Sequence, residues 1–442
     1  MRSTVPGRLL ATTLVVACAT LVAACGSSND KGGGGGGDTH GSAATQGVGK
    51  APTLADSQNA TGTVTYCLGK DTAGNNHAAV AQFNAKYKAQ GLSAKLVEFP
   101  TSADEQRKQF VQRQRAKSAD CDVFLSDVVW TAEFAQQRWL LDMSDYVNER
   151  QSEFIPSTLE TIRYNDRYWG VPQATDAAFM YYREDKVSTV PQTWQELYSE
   201  AKADGGIVYQ GASYEGLTCD FLELAFAAGG KVLSDDGKKS LINSPENLKA
   251  LQFMVNGLKE GAAPKAVTTY MEEESRRAFE SGRFAFMRNW PYAYALGNLK
   301  GSKVKGKFKV VPFPAFEGGG KAGILGGHNL VISTYSKNPK GAVMLIDYLT
   351  SAPVEKMYAA KYSIAPVLNA TYDDPDVQKA LPFAQELRQA VTQAKSRPVS
   401  PVYPQISEAI YTNVNDALSG TKSPQDALKA ADDQVNRALA TF

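Results

Sequence analysis

The chain predicts an α/β fold with enough length for two lobes. Three observations carry this reading. From Gly62 onward, β-like apolar runs alternate with helical patterns, as in a lobe built on a mostly parallel sheet. About 380 residues follow Thr61, which is enough to bury two separate cores. A β-like run from Arg167 to Asp185, "RYWGVPQATDAAFMYYRED", reads as a segment crossing from one lobe to the other.

Taken in order, "GTVTYCL" (Gly62–Leu68) reads as a strand, and Asn76–Gln90 follows with apolar spacing near 3.6. "LSAKLVEFP" (Leu92–Pro100) is a second strand. Ser102 and Glu105 have the spacing of a capping box ahead of a helix. "CDVFLSDVVW" (Cys121–Trp130) is a third strand. Residues 205–295 hold several helices and end on the strand "RFAFMRN" (Arg283–Asn289). "KFKVVPFP" (Lys307–Pro314) and "HNLVIS" (His328–Ser333) return to strand, and helices run to the end. The last helix opens at Ser423-Pro424, with Leu428, Ala431, Val435 and Leu439 on one core-facing side.

The N-terminus is of another kind. Arg2 and Arg8 precede "LLATTLVVACATLVAA" (Leu9–Ala24), 16 apolar or small residues. A bilayer-crossing helix needs roughly 20, so this is the profile of an export signal. Val22-Ala23-Ala24-Cys25-Gly26 resembles a bacterial lipobox. That resemblance implies cleavage before Cys25 and lipidation of its thiol, so that residues 1–24 are a signal peptide. Residues 25–61, rich in Gly, Ser, Asp and Asn, read as a flexible tether. Such a chain spans on the order of 33 Å.

Charge and composition exclude several functions. There are 47 basic and 46 acidic residues, and no basic run interleaved with aromatics, which argues against nucleic acid. Aromatics make up 10% of the chain, including 20 Tyr and 5 Trp, side chains suited to amphipathic ligands. Only His77 and His328 lie beyond the tether, and neither HExxH nor Cys-x-x-Cys occurs. No cofactor or metal is expected. Gly-x-Ser-x-Gly and the phosphate-binding Gly-Lys-Ser/Thr loop are missing too. Glu272-Glu273-Glu274 reads as a solvated start of a helix, matched to its dipole. Cys67, Cys121 and Cys219 read as buried thiols, because Cys67 and Cys121 fall at different heights on neighbouring strands.

Four stretches together resemble family 1 extracellular solute-binding proteins, the carbohydrate receptors of ABC importers. They are "VPQATDAAFMYYRED" (Val171–Asp185), "YEGLTCDFLELAFAAGG" (Tyr214–Gly230), "FESGRFAFMRNWPYAY" (Phe279–Tyr294) and "RPVSPVYPQISEAIYTNVNDALSG" (Arg397–Gly420). The resemblance covers nearly everything after Thr61. It implies a two-lobed, type II periplasmic-binding-protein-like fold with crossing hinge strands. The expected lobes are 62–172 with 291–350, and 173–290 with 351–442. It further implies a maltose- or trehalose-like ligand gripped by hinge closure, no catalysis, a monomer, and delivery to the transmembrane subunits of an importer.

The same resemblance, with the positions of the strand ends, nominates the ligand-binding residues. Trp290 matches a cleft tryptophan, and Tyr292, two residues on in an extended run, would face the same side. Asp127 and Trp130 follow the third strand at its carboxyl end, and Asp71 and Thr72 follow the first, where open α/β sheets form ligand crevices. Thr175 and Asp176 flank the crossing; Tyr214 and Glu215 open "YEGL"; Arg397 offers a bidentate fork to hydroxyls. His328 stands where relatives carry an aromatic, which trades stacking for hydrogen bonding. Two other readings remain: a surface glycoside hydrolase, and a receptor for a non-sugar solute such as a peptide or glycerol-phosphate ester.

Overall fold

The computed structural model describes residues 47–441. The segment read as a signal peptide, the lipobox-like stretch with Cys25 and the glycine tract lie outside the described residues. The strands are β1 (Gly62–Leu68), β2 (Leu92–Glu98), β3 (Val123–Asp127), β4 (Arg163–Tyr164), β5 (Arg167–Tyr168), β6 (Val171–Ala177), β7 (Phe179–Arg183), β8 (Ile207–Val208), β9 (Phe286–Asn289), β10 (Phe308–Val311) and β11 (Leu325–Ile332). Two sheets contain most of them. The first has the order β2-β1-β3-β11-β6, and the second β10-β7-β9-β8.

In the first sheet, β1 pairs in parallel with β2 and β3, while β11 runs antiparallel to both β3 and β6. Alternation of side chains sorts its residues between two cores. Val64, Tyr66, Leu68, Val123, Leu125, Leu330 and Ile332 pack on one face, and Cys67, Phe124 and Val331 on the other. The chain crosses between sheets twice. β6 ends in the first sheet and β7 follows at once in the second; β10 lies in the second and β11 returns to the first. These adjacent crossings place the lobes side by side, with the carboxyl ends of β1 and β3 facing the cleft. Among the described residues no helix is long and apolar enough to cross a membrane.

Several expectations need correction. β10 was expected in the first lobe, yet it pairs with β7 in register Phe308↔Arg183, because the chain crosses back only at β11. Helix Ala352–Tyr362, expected in the second lobe, puts Val354 and Tyr358 into the first lobe's core. The tether also ends sooner than Thr61. Lys50 bridges to Asp142, its Nζ lies 3.0 Å from Asp145, and Ala51 and Leu54 pack on the first lobe's core. Three apolar anchors, Ala51, Leu54 and Ala60, hold a segment whose average composition reads as polar. Ser102 caps the helix Ala103–Arg115 without a side-chain hydrogen bond, and Glu105 instead accepts from Lys108 at 2.6 Å.

Cys67 and Cys121 are joined in a disulfide, with Cα atoms 5.8 Å apart, while Cys219 is a free, buried thiol. The reading of three thiols fails because Cys121 lies two residues ahead of β3, outside the ladder that sets strand heights. There Asp122 N–H donates to Thr65 O at 2.9 Å, and the Asp122 carboxylate accepts from Thr65 N–H at 2.8 Å. Those two bonds pull the approach to β3 back alongside Cys67.

Candidate functional site

A cavity of about 260 Å³ lies between the two sheets. It is lined by the loops after β1 and β3, by β6, by the start of β11, and by second-lobe residues 214–219, 272–273 and 290–292. Of the nominated residues, Asp71, Thr72, Asp127, Asp176, Tyr214, Glu215, Trp290, Tyr292, His328 and Arg397 line it.

Two nominated residues do not. Trp130 is buried in the first lobe's core, 5.4 Å from the Phe110 ring and 5.9 Å from Phe134. It sits at the head of helix Thr131–Gln136 rather than on the strand, so its indole turns inward. Thr175 is likewise buried and faces away, its N–H donating to Ala365 O, because neighbours on a strand point to opposite sides.

Trp290 is half-buried, with Arg288 Cζ lying 4.2 Å from its ring centroid. Arg288 is itself buried and ion-paired with Asp220 (2.8 Å) and Glu223. A fixed cation thus holds the indole from behind. Tyr181 Oη donates to Trp290 O at 2.7 Å, anchoring its backbone. A Cβ at Gly326 would meet Trp290 Cζ3 at 3.0 Å, so glycine makes room for the ring. Tyr292 is not on an extended run. Pro291 takes helical φ and ψ, and Tyr292 opens the helix Tyr292–Gly297, its Oη donating to Glu273 Oε1 at 2.8 Å.

The carboxylates divide by what they already hold. Asp71 caps the helix Asn75–Tyr87, accepting from Gly74 N–H (3.0 Å), His77 N–H (2.8 Å) and His77 Nδ1 (2.8 Å). Glu215 accepts from Arg397 Nη1 (2.6 Å), Tyr403 Oη (2.5 Å) and Ser407 Oγ (2.5 Å), which uses both of its oxygens. Its work is therefore to position Arg397. Burial, opposed by Arg397, pushes the Glu215 carboxyl up to about 7. Asp176 is different: among the described residues no protein group hydrogen-bonds its carboxyl. Burial first, and then the nearby Asp127 charge, push it up to about 8. It is therefore protonated near neutrality, able both to donate and to accept a hydrogen bond from a bound molecule. Burial lowers the His328 imidazole, which is held neutral.

Arg397, buried, reaches Glu215 in its own lobe and Asp127 of the first lobe at 3.4 Å. A second contact also spans the cleft, where Asp104 Oδ2 accepts from Glu215 N–H at 2.9 Å. Tyr214 packs against Gly216, where a Cβ would lie 2.1 Å from its Oη.

Sequence reasoning missed Glu272, Glu273, Gln173 and Asn76, all lining the cavity. The triple-glutamate run is not a solvated helix start. Glu272 is held above the usual carboxylate range by burial, Glu273 accepts from Arg276 and Tyr292, and Glu274 accepts from Met271 N–H at 3.2 Å. Proximity to "RNWPY" in the sheet, rather than in sequence, brings them there. Among the described residues, no cluster of His, Cys, Asp and Glu is arranged to hold a metal. The site can hold a neutral molecule with one apolar face and several hydroxyls.

Comparison with known proteins identifies the family and the fold. Residues 77–356 match the family of the bacterial extracellular solute-binding protein. A probable ABC transporter-binding protein of Deinococcus radiodurans is 38% identical over 369 residues, covering 79% of this chain and 87% of that protein. The maltotriose-binding protein of Pyrococcus abyssi is 26% identical, covering 63% of this chain and 62% of its own. Among solved structures, maltose-bound T. maritima MalE3 superimposes with a TM-score of 0.81 at 36% identity, covering 85% of this chain and 99% of that one. A Thermotoga lettingae solute-binding protein bound with α-D-tagatose gives 0.79 at 27% identity, covering 86% and 100%. The fold is the type II periplasmic-binding-protein-like arrangement of two lobes joined by crossing strands, and the chain belongs to the bacterial extracellular solute-binding proteins.

Proposed function

We propose that this protein is a receptor that captures a disaccharide or short oligosaccharide by closing its lobes and delivers it to an ABC importer. One observation carries the reading. Trp290 presents its indole to the interlobe cavity, backed by Arg288, beside the hydrogen-bonding groups of Asp127, Asp176 and His328. A pyranose ring offers that surface its C–H face and its hydroxyls. The cavity carries six carboxyls (Asp71, Asp127, Asp176, Glu215, Glu272 and Glu273) against Lys70 and Arg397, which disfavours an anionic solute such as a glycerol-phosphate ester. The relatives that bind maltotriose, maltose and tagatose support a sugar as the ligand.

Ligand seen by both lobes favours the shut form, so binding shifts the population towards it. The importer's transmembrane subunits then engage a monomeric, closed receptor. Lipidation at Cys25 holds the receptor on the outer face of the cell membrane, and export through the oxidising exterior suits the Cys67–Cys121 disulfide. Thermal unfolding against maltose, trehalose and cellobiose tests the ligand. A sugar at 100 times its Kd adds about 2.7 kcal/mol of stability. The bound sugar should be recovered intact by chromatography; hydrolysis would point to a glycosidase, and no shift with any sugar would refute the reading.

A further inference from the structure

Helix Glu215–Ala227 of the second lobe begins without a cap of its own. Its N-cap residue is Tyr214, whose side chain makes no capping hydrogen bond, so the first N–H groups need partners from elsewhere. One comes from the other lobe. Asp104 stands in the first turn of helix Ala103–Arg115, and its Oδ2 accepts from Glu215 N–H at 2.9 Å. Two helix N-termini thus meet at one carboxylate, each offering the positive end of its dipole.

Tyr411, on the second lobe's helix Tyr403–Ser419, brings its phenol to the same carboxyl. Burial first, and then the Asp104 charge, hold that phenol above its usual range, where it remains a donor. Asp104 is half-buried, and burial raises its carboxyl, opposed by the Glu215 N–H and by Arg107 and Lys108 on its own helix. Desolvation therefore offsets part of what these bonds contribute, and the contact is favourable without locking the lobes.

Asp104 does not line the main cavity. Its helix sends Ala103 and Gln106 to that wall, while the Asp104 carboxyl meets the second lobe. The contact of Arg397 with Asp127, by contrast, is made by two residues that do line it. Glu215 joins the two contacts, its side chain holding Arg397 and its N–H holding Asp104. A molecule in the cavity can meet Arg397 and Asp127, but not Asp104.

We infer that Asp104 is a closure residue: it caps helix Glu215–Ala227 from the opposite lobe only when the lobes are shut, and so favours the shut form whether or not the cavity is filled. The inference rests on the receptor reading for its effect on sugar binding, though not for its effect on shape. A bond made only in the shut form contributes equally to every ligand held there, and it slows release rather than speeding encounter.

Small-angle scattering and stopped-flow tryptophan fluorescence on the full chain test it, comparing Asp104→Ala, Asp104→Asn and Glu105→Gln with the unmodified protein. Without sugar, Asp104→Ala should have the larger radius of gyration. With whichever of maltose, trehalose and cellobiose bind, the same variant should raise Kd about tenfold, by one factor for all of them, and the rise should lie in koff. Asp104→Asn, which keeps an acceptor oxygen, should recover part of both effects. Glu105→Gln removes a neighbouring charge from the same helix turn and should change neither. If Glu105→Gln matches Asp104→Ala, the role is confined to starting helix Ala103–Arg115 and the inference fails. An unchanged radius in Asp104→Ala also overturns it, as does a loss carried by kon or one that differs more than threefold between sugars. Binding of none of the three sugars sinks the receptor reading, while the sugar-free radii still decide the closure role.

Discussion

The Cys67–Cys121 disulfide ties β1 to the approach of β3, the two strands whose carboxyl ends carry Asp71 and Asp127 into the cleft. Reducing it is the perturbation with the clearest magnitude. The two cysteines are 54 residues apart in sequence. Releasing a loop of that length returns to the unfolded chain an entropy of 2.1 plus 1.5R ln n cal/mol/K, which is about 4 kcal/mol at 25 °C. For a lobe of roughly 150–250 residues, each kcal/mol moves the melting temperature by about 2–4 °C, so reduction should lower it by about 8–16 °C. Calorimetry with and without dithiothreitol measures this. Peptide mapping of the unreduced protein should find Cys67 and Cys121 in one linked peptide, with Cys219, of the three cysteines among the described residues, alone available for alkylation under denaturing conditions. A drop below 2 °C in protein that mapping shows to be fully reduced would refute this assignment, and unlinked cysteines in the unreduced protein would remove its basis.

Three further outcomes follow from the site and the termini. Trp290→Ala removes the indole that faces the cavity; a loss on the order of 2 kcal/mol, typical of truncating a binding aromatic, is a ~30-fold rise in Kd. Sugar affinity within twofold of the unmodified protein would show that the ring does not stack. Asp176, Glu215 and Glu355, the last buried on the helix Ala352–Tyr362, carry carboxyls raised by burial to about 8, 7 and 8, above an unfolded value of about 4. Folding therefore gains most from them when they are protonated, below about pH 4, and loses that gain as the pH rises towards 8. The melting temperature should fall from pH 5 to 8.5, and Asp176→Asn or Glu355→Gln should flatten the fall; an unchanged slope in both variants would contradict these assignments. Cys25→Ser should move the protein from the membrane fraction to the soluble one, whereas persistent membrane association would rule out the lipid anchor.

Much of the fold is legible because periodicity is a local property. β1 matches the run Gly62–Leu68 residue for residue, and the helix Pro424–Leu439 begins at its Ser423 cap, as its spacing requires. The site was legible only in part. Strand ends and motifs nominated ten residues that do line the cavity, but they could not report which way a side chain turns once the strand stops. Trp130 lies three residues past Asp127, where a short helix rotates it into the core. Glu215 lies at the cavity and yet spends its oxygens on Arg397, Tyr403 and Ser407, some 180 or more residues away.

The sequence by itself determined the alternation of strands and helices, the neutral and aromatic-rich character of the chain, and the signal-like N-terminus, since each depends on neighbours within a few residues. Only the tertiary structure decided that Cys67 meets Cys121, that β10 leaves the first lobe for the second, and that Glu272 and Glu273 join Trp290 at one cavity. It likewise decided which carboxyls are already spent and, among the described residues, left the Asp176 carboxyl without a protein hydrogen bond. These are facts of distance between segments far apart in the chain, and hydrogen-bond partnership and desolvation are fixed by what packs nearby rather than by what is adjacent in sequence.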